Sequence, residues 1–337
     1  MRKNKRKQEP IFSTLEEIDT RTTTVSKEEL PVITAPDMPP TEPQPVTTLE
    51  DTPPTEPAIT TEDMSPAELQ PDTTAEDIPS TEPQPASMAV DKSPPAVPVS
   101  DSFESLGFSF VHIAPGHFIM GSPEFEPGRN IDETQHEVTL SKGFYMQTTP
   151  VTQRQWKSVM GLNPSGFSRG SDDHPVENIS WYDCQQFIKN LNRMEKHTYR
   201  LPTEAEWEYT CRAGSPHPCA EGEIIELFCG YDYNLDIMGW YCGNSGRTTH
   251  PVAQKSPNSW GLYDMHGNVL EWCQDWYTDY SATPQKDPTD PVIGSTRVVR
   301  GGSWFANAKN CRSGSRFYWT PNSKSDFIGL RLVKEKN

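Results

Sequence analysis

The first 104 residues of this 337-residue chain have almost no aromatic side chains. Only Phe12 and Phe103 occur there, whereas the other 31 aromatic residues, including all nine tryptophans, follow residue 104. The same segment holds 18 prolines and carries 21 acidic against 8 basic side chains. Without large apolar side chains, a chain cannot bury enough surface to offset the entropy of ordering its backbone. We therefore predict that residues 1–104 form a disordered acidic tail and that residues 105–337 form one folded domain.

The tail contains a 26-residue repeat without an apolar face. Residues 36–61 and 62–87 align, and Thr-Glu-Pro begins at Thr41, Thr55 and Thr81. Because solenoid repeats of this length stack through an apolar face, a solenoid is excluded. We interpret the tail as an extended spacer, stiffened by proline and by charge repulsion. A docking ligand for a partner is the alternative.

The chain also lacks long hydrophobic runs. Its basic start, Met1–Lys7, is followed by Gln-Glu-Pro rather than by the apolar stretch of a signal peptide, and no run is long enough for a membrane span. These absences predict a cytoplasmic protein. The net charge of −17 argues against nucleic acid as the main partner.

The seven cysteines show no metal-binding spacing. No Cys-x2-Cys pair occurs, and the spacing of Cys211, Cys219, Cys229 and Cys242 fits no familiar zinc site. For a cytoplasmic chain we expect reduced thiols, most of them buried as small hydrophobic residues. In an oxidising environment, Cys219 and Cys229 are the expected pair.

Short regular elements are predicted from residue 105 onward. Alternating apolar residues indicate two strands at 108–115 and 116–121, and a second strand pair at 138–140 and 144–146 that turns at Gly143. Capping residues start two helices, at Thr152 and Thr203, and Gly161 ends the first, whereas an apolar stripe predicts a helix that starts at Ser180. We expect Arg200 and the glutamates of the third helix to form buried ion pairs. Beyond Tyr209 the chain is expected to be mostly loop, packed around tryptophan rings.

Five blocks closely resemble the sulfatase-modifying-factor, or formylglycine-generating-enzyme, domain. The resemblance runs from about Phe108 to Val333 and implies an α+β, C-type-lectin-like fold with little regular secondary structure. The blocks are Arg200–Tyr209, Trp260–Asn268, Leu270–Trp272, Gly301–Trp304 and Gly329–Arg331.

The thiol pair of the active family members is incomplete in this chain. In those members, Gly-Gly-Ser leads into Cys-x4-Cys, whose thiolates bind copper and oxidise a substrate cysteine to formylglycine with oxygen. Counted from Ser303, the two positions hold Ala306 and Cys311. Counted back from Thr320-Pro321, Cys311 matches neither position. Ser303 and Cys311 remain the candidate catalytic residues, copper is not expected, and inert packing of Cys311 is the alternative.

The resemblance also implies a structural calcium site. The family loop that matches Asp264–Glu271 binds calcium through two carboxylates and two backbone carbonyls, a donor set that calcium favours. A second family site would begin at Asn244, but Arg247 stands in the region where that site needs an acid. Carboxylates that only cap loop amides are the alternative. The candidate calcium ligands are Asp264, Gly267, Val269, Glu271 and, for the second site, Asn244.

Aromatic and small polar residues near the expected groove suit a recognition surface. We therefore predict a calcium-stabilised member of the family that binds a protein, a peptide or a small ligand. The alternative is an oxidoreductase of the same family, which acts on a cysteine in a protein or peptide. The candidate groove residues are Trp304, Phe305, Asn307, Arg316, Tyr318 and Trp319.

Overall fold

The computed structural model describes residues 101–103, 106–289 and 293–336. These residues form a mixed α+β fold in which regular elements are short and long loops join them. The predicted disorder of residues 1–104 and the tail repeat lie almost entirely outside the described residues. Among the described helices, none has the length and hydropathy needed to cross a membrane.

Twelve strands form three small sheets. One sheet has the order β1-β2-β5-β12-β6, the second β10-β9-β7-β11, and the third β3-β4-β8. The strands are β1 (Asp101–Phe103), β2 (Phe108–Ile113), β3 (Gly116–Met120), β4 (His136–Leu140), β5 (Phe144–Gln147), β6 (Tyr199–Arg200), β7 (Leu270–Trp276), β8 (Gln285–Lys286), β9 (Arg297–Arg300), β10 (Phe317–Trp319), β11 (Ile328–Gly329) and β12 (Val333–Lys334).

The first four predicted strands are present, but the expected pairing of β4 with β5 is wrong. β2 pairs with β5 and β3 pairs with β4, both antiparallel. The turns at Pro115 and Gly143 therefore carry the chain from one sheet to another instead of closing hairpins. The second of these turns requires glycine at position 143, because an added Cβ there would lie only 2.9 Å from the Ile113 carbonyl oxygen.

The three predicted helix starts are confirmed. In each, the N-cap hydroxyl accepts from the backbone N–H three residues later, and that residue's side chain accepts from the cap backbone. The helices are α1 (Gln153–Met160), α2 (Trp181–Met194), α3 (Glu204–Arg212) and α4 (Tyr233–Met238), the last of which was not predicted.

Aromatic and aliphatic side chains share the interior. Trp156 of α1 stacks on Phe187 of α2 with ring centroids 4.8 Å apart and an interplanar angle of 2°. Trp207 and Trp272 are completely buried. The predicted indole rings are part of this core, together with many buried Val, Ile and Leu side chains, and the core fixes α3 against β7 and β9.

Buried ion pairs also join α3 to the strands. Arg300 at the end of β9 donates to Glu204 and Glu208, and both of its partners are buried. Arg200 pairs with Glu206 at 2.6 Å. The expected ion pairing of the α3 glutamates is confirmed, and it positions the segment that follows β9.

Candidate functional site

The loop that follows β9, residues 301–311, is where the resemblance places the catalytic positions. Gly301 and Gly302 have φ angles of +102° and +73°. An added Cβ at Gly302 would lie 2.4 Å from the Cys311 sulfur, so a side chain there would clash with the thiol. The two glycines therefore turn the backbone back over Cys311.

Cys311 is a buried core thiol in this structure. It is fully inaccessible to solvent and belongs to an apolar cluster with Leu235, Met238 and Tyr241, against which Ala306 also packs. Burial raises the pKa of the Cys311 thiol to about 12. Since the thiolate is the reactive and metal-binding form, burial and the raised pKa both disfavour reaction and metal binding at Cys311. Ser303 is likewise buried.

A second loop, residues 224–244, packs on this segment. Backbone N–H groups of Ala308 and Lys309 donate to the carbonyl oxygens of Phe228 (2.8 Å) and Leu227 (3.2 Å). The Cys242 N–H donates in the same way to the Ala306 oxygen at 3.0 Å. The two loops therefore form one continuous surface around the first of the two family cysteine positions.

The expected pairing of Cys219 with Cys229 is wrong. Cys229 forms a disulfide with Cys242, whereas Cys219 is a buried free thiol beside Met238. All five free cysteines, Cys219 included, are buried, as expected for small core residues. Sequence spacing cannot decide this pairing, because the fold of the intervening α4 brings Cys229 and Cys242 together.

Exposed aromatic side chains lie on both of the loops that meet near the disulfide. We call Phe228, Phe305, Asn307 and Lys309 the loop surface. Phe305 is 60% exposed and Phe228 62% exposed, and the Lys309 ammonium lies 5.8 Å from the Phe228 ring centroid. Asn307 contacts the Cys229 sulfur at 3.2 Å. Unlike a core cluster, this arrangement presents apolar area and a cation to solvent.

The structure separates the predicted groove residues into different environments. Trp304 is 8% exposed, and its indole N–H donates to the Asp326 carbonyl, so it supports the loop from below. Trp319 packs on the core and contacts Phe327. Phe305 and Asn307 therefore belong to the loop surface, whereas Trp304 and Trp319 mainly support it.

Arg316 is wrongly assigned to the groove. It is 3% exposed and donates through Nε and Nη2 to Glu204, while its guanidinium lies 3.6 Å from the Tyr280 ring centroid. A buried guanidinium needs such partners because an unpaired buried charge is costly. Tyr318 is 54% exposed but packs on Tyr277, with ring centroids 4.3 Å apart.

The predicted calcium ligands bond to protein groups. Glu271 accepts from the Trp207 indole N–H at 2.7 Å and from the Arg331 guanidinium through both of its oxygens. Asp264 accepts from the Ala253 N–H and from the Asn268 amide. The Asn244 side-chain oxygen accepts from the Tyr241 N–H. These contacts are internal bonds of the fold and leave the two carboxylates little capacity for an ion.

In this arrangement the residues do not fit a calcium ion. A cation at Glu271 would have to displace the Arg331 guanidinium, which is completely buried with it. In the described ranges, no three His, Cys, Asp or Glu side chains come together in a way that could hold a metal ion. Calcium binding by Asp264, Gly267, Val269 and Glu271 therefore stays a prediction from the resemblance, to be decided by measurement.

Glu177 is a buried acid that was not predicted. It has no solvent exposure, one oxygen accepts from the Phe167 N–H, and the other has no hydrogen-bond partner. Burial raises its pKa to about 7. The Phe167 ring in turn meets Trp304 edge-on at 5.2 Å. The available signal was weak: Glu177 and Asn178 are polar residues between the apolar Val176 and Ile179.

Comparison with known proteins identifies the family. Residues 99–336 match the family described as "Sulfatase-modifying factor enzyme 1-like domain". The chain belongs to this family. The resemblance that the five sequence blocks indicated is therefore confirmed, together with the mixed α+β fold.

The curated relatives carry several names. The chain is 35% identical over 198 residues to a formylglycine-generating enzyme of Streptomyces coelicolor, covering 53% of this chain and 60% of the enzyme. It is 30% identical to the chaperone protein LppX of Paenibacillus barcinonensis, covering 59% of this chain and 82% of LppX. It is 31% identical to the serine/threonine-protein kinase pkn1 of Chlamydia pneumoniae, covering 67% of this chain and 38% of the kinase. The chain thus spans well under two thirds of the enzyme and of the kinase.

Two solved structures share the fold. Treponema denticola variable protein 1 superimposes with a TM-score of 0.63 and 29% identity, covering 72% of this chain and all of that chain. PvdO from Pseudomonas aeruginosa superimposes with a TM-score of 0.62 and 27% identity, covering 71% of this chain and 98% of PvdO. The fold therefore occurs in proteins with different names.

Proposed function

We propose that this domain is a binding module of its family and that it lacks the cysteine-oxidising chemistry of the formylglycine-generating enzymes. The proposal rests on the residues found at the two positions that, counted from Ser303, hold cysteines in the active family members. Ala306 has no thiol, and Cys311 is a buried thiol whose pKa is raised to about 12. Copper(I) favours soft thiolate ligands, and one protonated, buried thiol is a poor substitute for two thiolates.

The exposed side of the same loops supports a role in recognition. Phe228 and Phe305 present large rigid side chains to solvent, and Lys309 and Asn307 add a cation and an amide beside them. Aromatic side chains supply contact area at low entropic cost, which is why they are frequent in protein interfaces. We therefore expect the ligand to be a protein or a peptide that contacts the loop surface.

An oxidation assay tests this proposal against the oxidoreductase alternative. The full chain is incubated with copper(I), oxygen and a peptide that contains Cys-x-Pro-x-Arg, and the aldehyde product is measured by mass spectrometry. The Streptomyces coelicolor enzyme serves as the positive control, since it shares 35% identity with this chain. We expect aldehyde from the control and none from this protein. Repeated turnover by this protein would refute the proposal.

The substitution Ala306→Cys tests whether the missing thiol at position 306 limits copper(I) binding. Ala306 packs against the cluster that contains Cys311, so a thiol at position 306 would lie near the second one. We expect the variant to bind copper(I) at least tenfold more tightly than the wild type, in a competition titration with a copper(I) chelator. Ala306→Ser is the matched control and should bind no better than the wild type. Equal affinity of all three proteins would show that the missing thiol is not what limits copper binding.

A further inference from the structure

We propose that the Cys229–Cys242 disulfide is a thiol–disulfide exchange site that determines whether residues 224–231 stay docked on residues 306–309. The bridge joins the two ends of the chain segment that contains α4, with a sequence separation of 13 residues. It lies against Asn307 on one side and close to the backbone contact between Cys242 and Ala306 on the other. None of the family's cysteine positions takes part in this bridge.

Accessibility distinguishes this bridge from the other sulfur groups of the domain. Cys229 is exposed and Cys242 is partly exposed, whereas the five free cysteines are all buried. A disulfide reacts when a thiolate reaches one of its sulfur atoms, so access largely decides which sulfur is attacked. Cys229 is therefore the sulfur that an incoming thiolate meets first.

Few other contacts hold residues 224–231 in place. Ile225, Phe228 and Tyr231 are 85%, 62% and 66% exposed, and among the large apolar side chains of this segment Ile224 is the buried one. The N–H groups of Ile225 and Glu226 donate to the Asp232 carboxylate. The segment is also attached through the two carbonyl contacts with Ala308 and Lys309, through the buried Ile224 side chain, and through the Tyr241 hydroxyl, which donates to the Gly230 oxygen at 2.8 Å. Segments with few buried contacts open at the lowest free-energy cost.

A dithiol reductant supplies the two electrons that reduce the Cys229–Cys242 disulfide. One thiolate of the reductant attacks the Cys229 sulfur, the Cys229–Cys242 bond breaks, and Cys242 leaves as a thiolate that takes up a proton. The second thiol of the reductant then loses its proton and attacks the mixed disulfide, which releases Cys229 as a thiol. The dithiol is oxidised to a disulfide by two electrons and the protein disulfide is reduced by the same two electrons.

Amide hydrogen exchange on the full chain tests the proposal. Dithiothreitol, a dithiol, is added, and the exchange of the Ala308 and Lys309 amides is followed, because these N–H groups donate to residues 227 and 228. We expect their exchange to accelerate at least tenfold on reduction. The Trp207 amide, which donates to the Thr203 oxygen inside α3, is the internal control and should stay within twofold of its original rate.

Two further measurements keep the test decisive. Native alkylation with iodoacetamide should add two adducts per chain after reduction, at Cys229 and Cys242, and none before reduction. The double variant Cys229→Ser/Cys242→Ser should exchange as fast as the reduced wild type and should not respond to dithiothreitol. Unchanged exchange at Ala308 and Lys309, equal acceleration at Trp207, or alkylation of both cysteines without reductant would each overturn the proposal. Since no ligand enters these measurements, their outcome is independent of the proposed binding function.

Discussion

The interior around α3 and the loop surface lie a short distance apart along the chain, yet they use charged and aromatic residues in opposite ways. Around α3, Glu208 and Arg300 have no solvent exposure and every carboxylate oxygen of Glu208 accepts a hydrogen bond. On the loop surface, Phe228 and Phe305 are exposed and Lys309 is partly exposed. The interior around α3 therefore acts as a fixed scaffold. On the loop surface, substitutions are expected to change the free energy of unfolding only slightly.

This difference bears on the proposal that the domain keeps the family fold without the family's cysteine-oxidising chemistry. The residues that link α3, β7 and β9 contribute to stability, so replacing them is expected to unfold the domain. Replacing a thiol by alanine at position 306 affects only the edge of a small apolar cluster. The fold therefore constrains the chemistry of the loop surface only weakly.

The largest effect is expected from breaking the scaffold at Glu208. Glu208→Ala leaves the buried guanidinium groups of Arg300 and Arg212 and the Gly121 N–H without this acceptor. Removing one partner of a buried ion pair costs about 3–5 kcal/mol. We expect a loss of this size in the free energy of unfolding, measured with urea. Asp173→Ala, which breaks an exposed pair with Arg154, should cost less than about 1 kcal/mol, and equal losses would contradict the comparison.

A smaller, pH-dependent effect is expected at Glu177. Its folded pKa of about 7 exceeds its ordinary value of 4.5, so the folded state binds the proton more tightly than the unfolded state. The wild type should therefore lose stability as pH rises from 4.5 to 7, by up to about 3 kcal/mol. Glu177→Gln carries no charge at either pH and removes this loss.

Melting temperatures at pH 5 and pH 8 measure this difference. The stability of Glu177→Gln relative to the wild type should rise between the two pH values, since only the wild type ionises there. Comparing the variant with the wild type cancels the titration of other groups. A relative stability that does not change with pH would show that Glu177 is already charged in the folded protein at pH 5.

A much smaller effect on stability is expected on the loop surface. Phe305→Ala should change the free energy of unfolding by no more than about 0.5 kcal/mol, because the ring is 60% exposed. The neighbouring residue, Trp304, is the matched control, because it is only 8% exposed and its indole N–H donates to the Asp326 carbonyl oxygen. Trp304→Ala should cost about 3–5 kcal/mol. Similar losses in the two variants would mean that Phe305 belongs to the core.

Removal of calcium is expected to leave the stability of the fold unchanged as long as Arg331 is paired with Glu271. A bound ion at about 100 times its dissociation constant would stabilise the fold by about 2.7 kcal/mol. Because both oxygens of Glu271 already accept hydrogen bonds, we expect the melting temperature to be the same in calcium and in chelator. A rise in calcium that disappears in Glu271→Ala would show that calcium displaces Arg331 and would support the sequence-based assignment.

Local signals in the sequence predicted the parts of the fold that depend on neighbouring residues. The caps at Thr152 and Thr203 located two helices, because a cap satisfies N–H groups only three residues away, and an apolar stripe located the helix that starts at Ser180. Strand pairing was not predictable in this way. β3 and β5 each pair with a strand other than the one that adjoins them across a short turn, and this choice depends on which sheet buries each face.

In the candidate site, too, residue identity was predictable from the sequence, whereas burial and distant contacts were not. Sequence alone identified the absent thiol at Ala306, since a residue type can be read directly. It misassigned Arg316, because exposed and buried arginines look alike until the position of Glu204 is known. It also missed Glu177, whose raised pKa arises from burial.

The amino-acid sequence by itself determined the family, the helix starts and the lack of a paired thiol, all of which depend on residue identity and short spacing. The tertiary structure alone decided which cysteines pair, which charges are buried and which aromatic rings reach solvent. These properties depend on contacts between residues far apart in the chain. Such contacts exist only after the loops have packed on the scaffold.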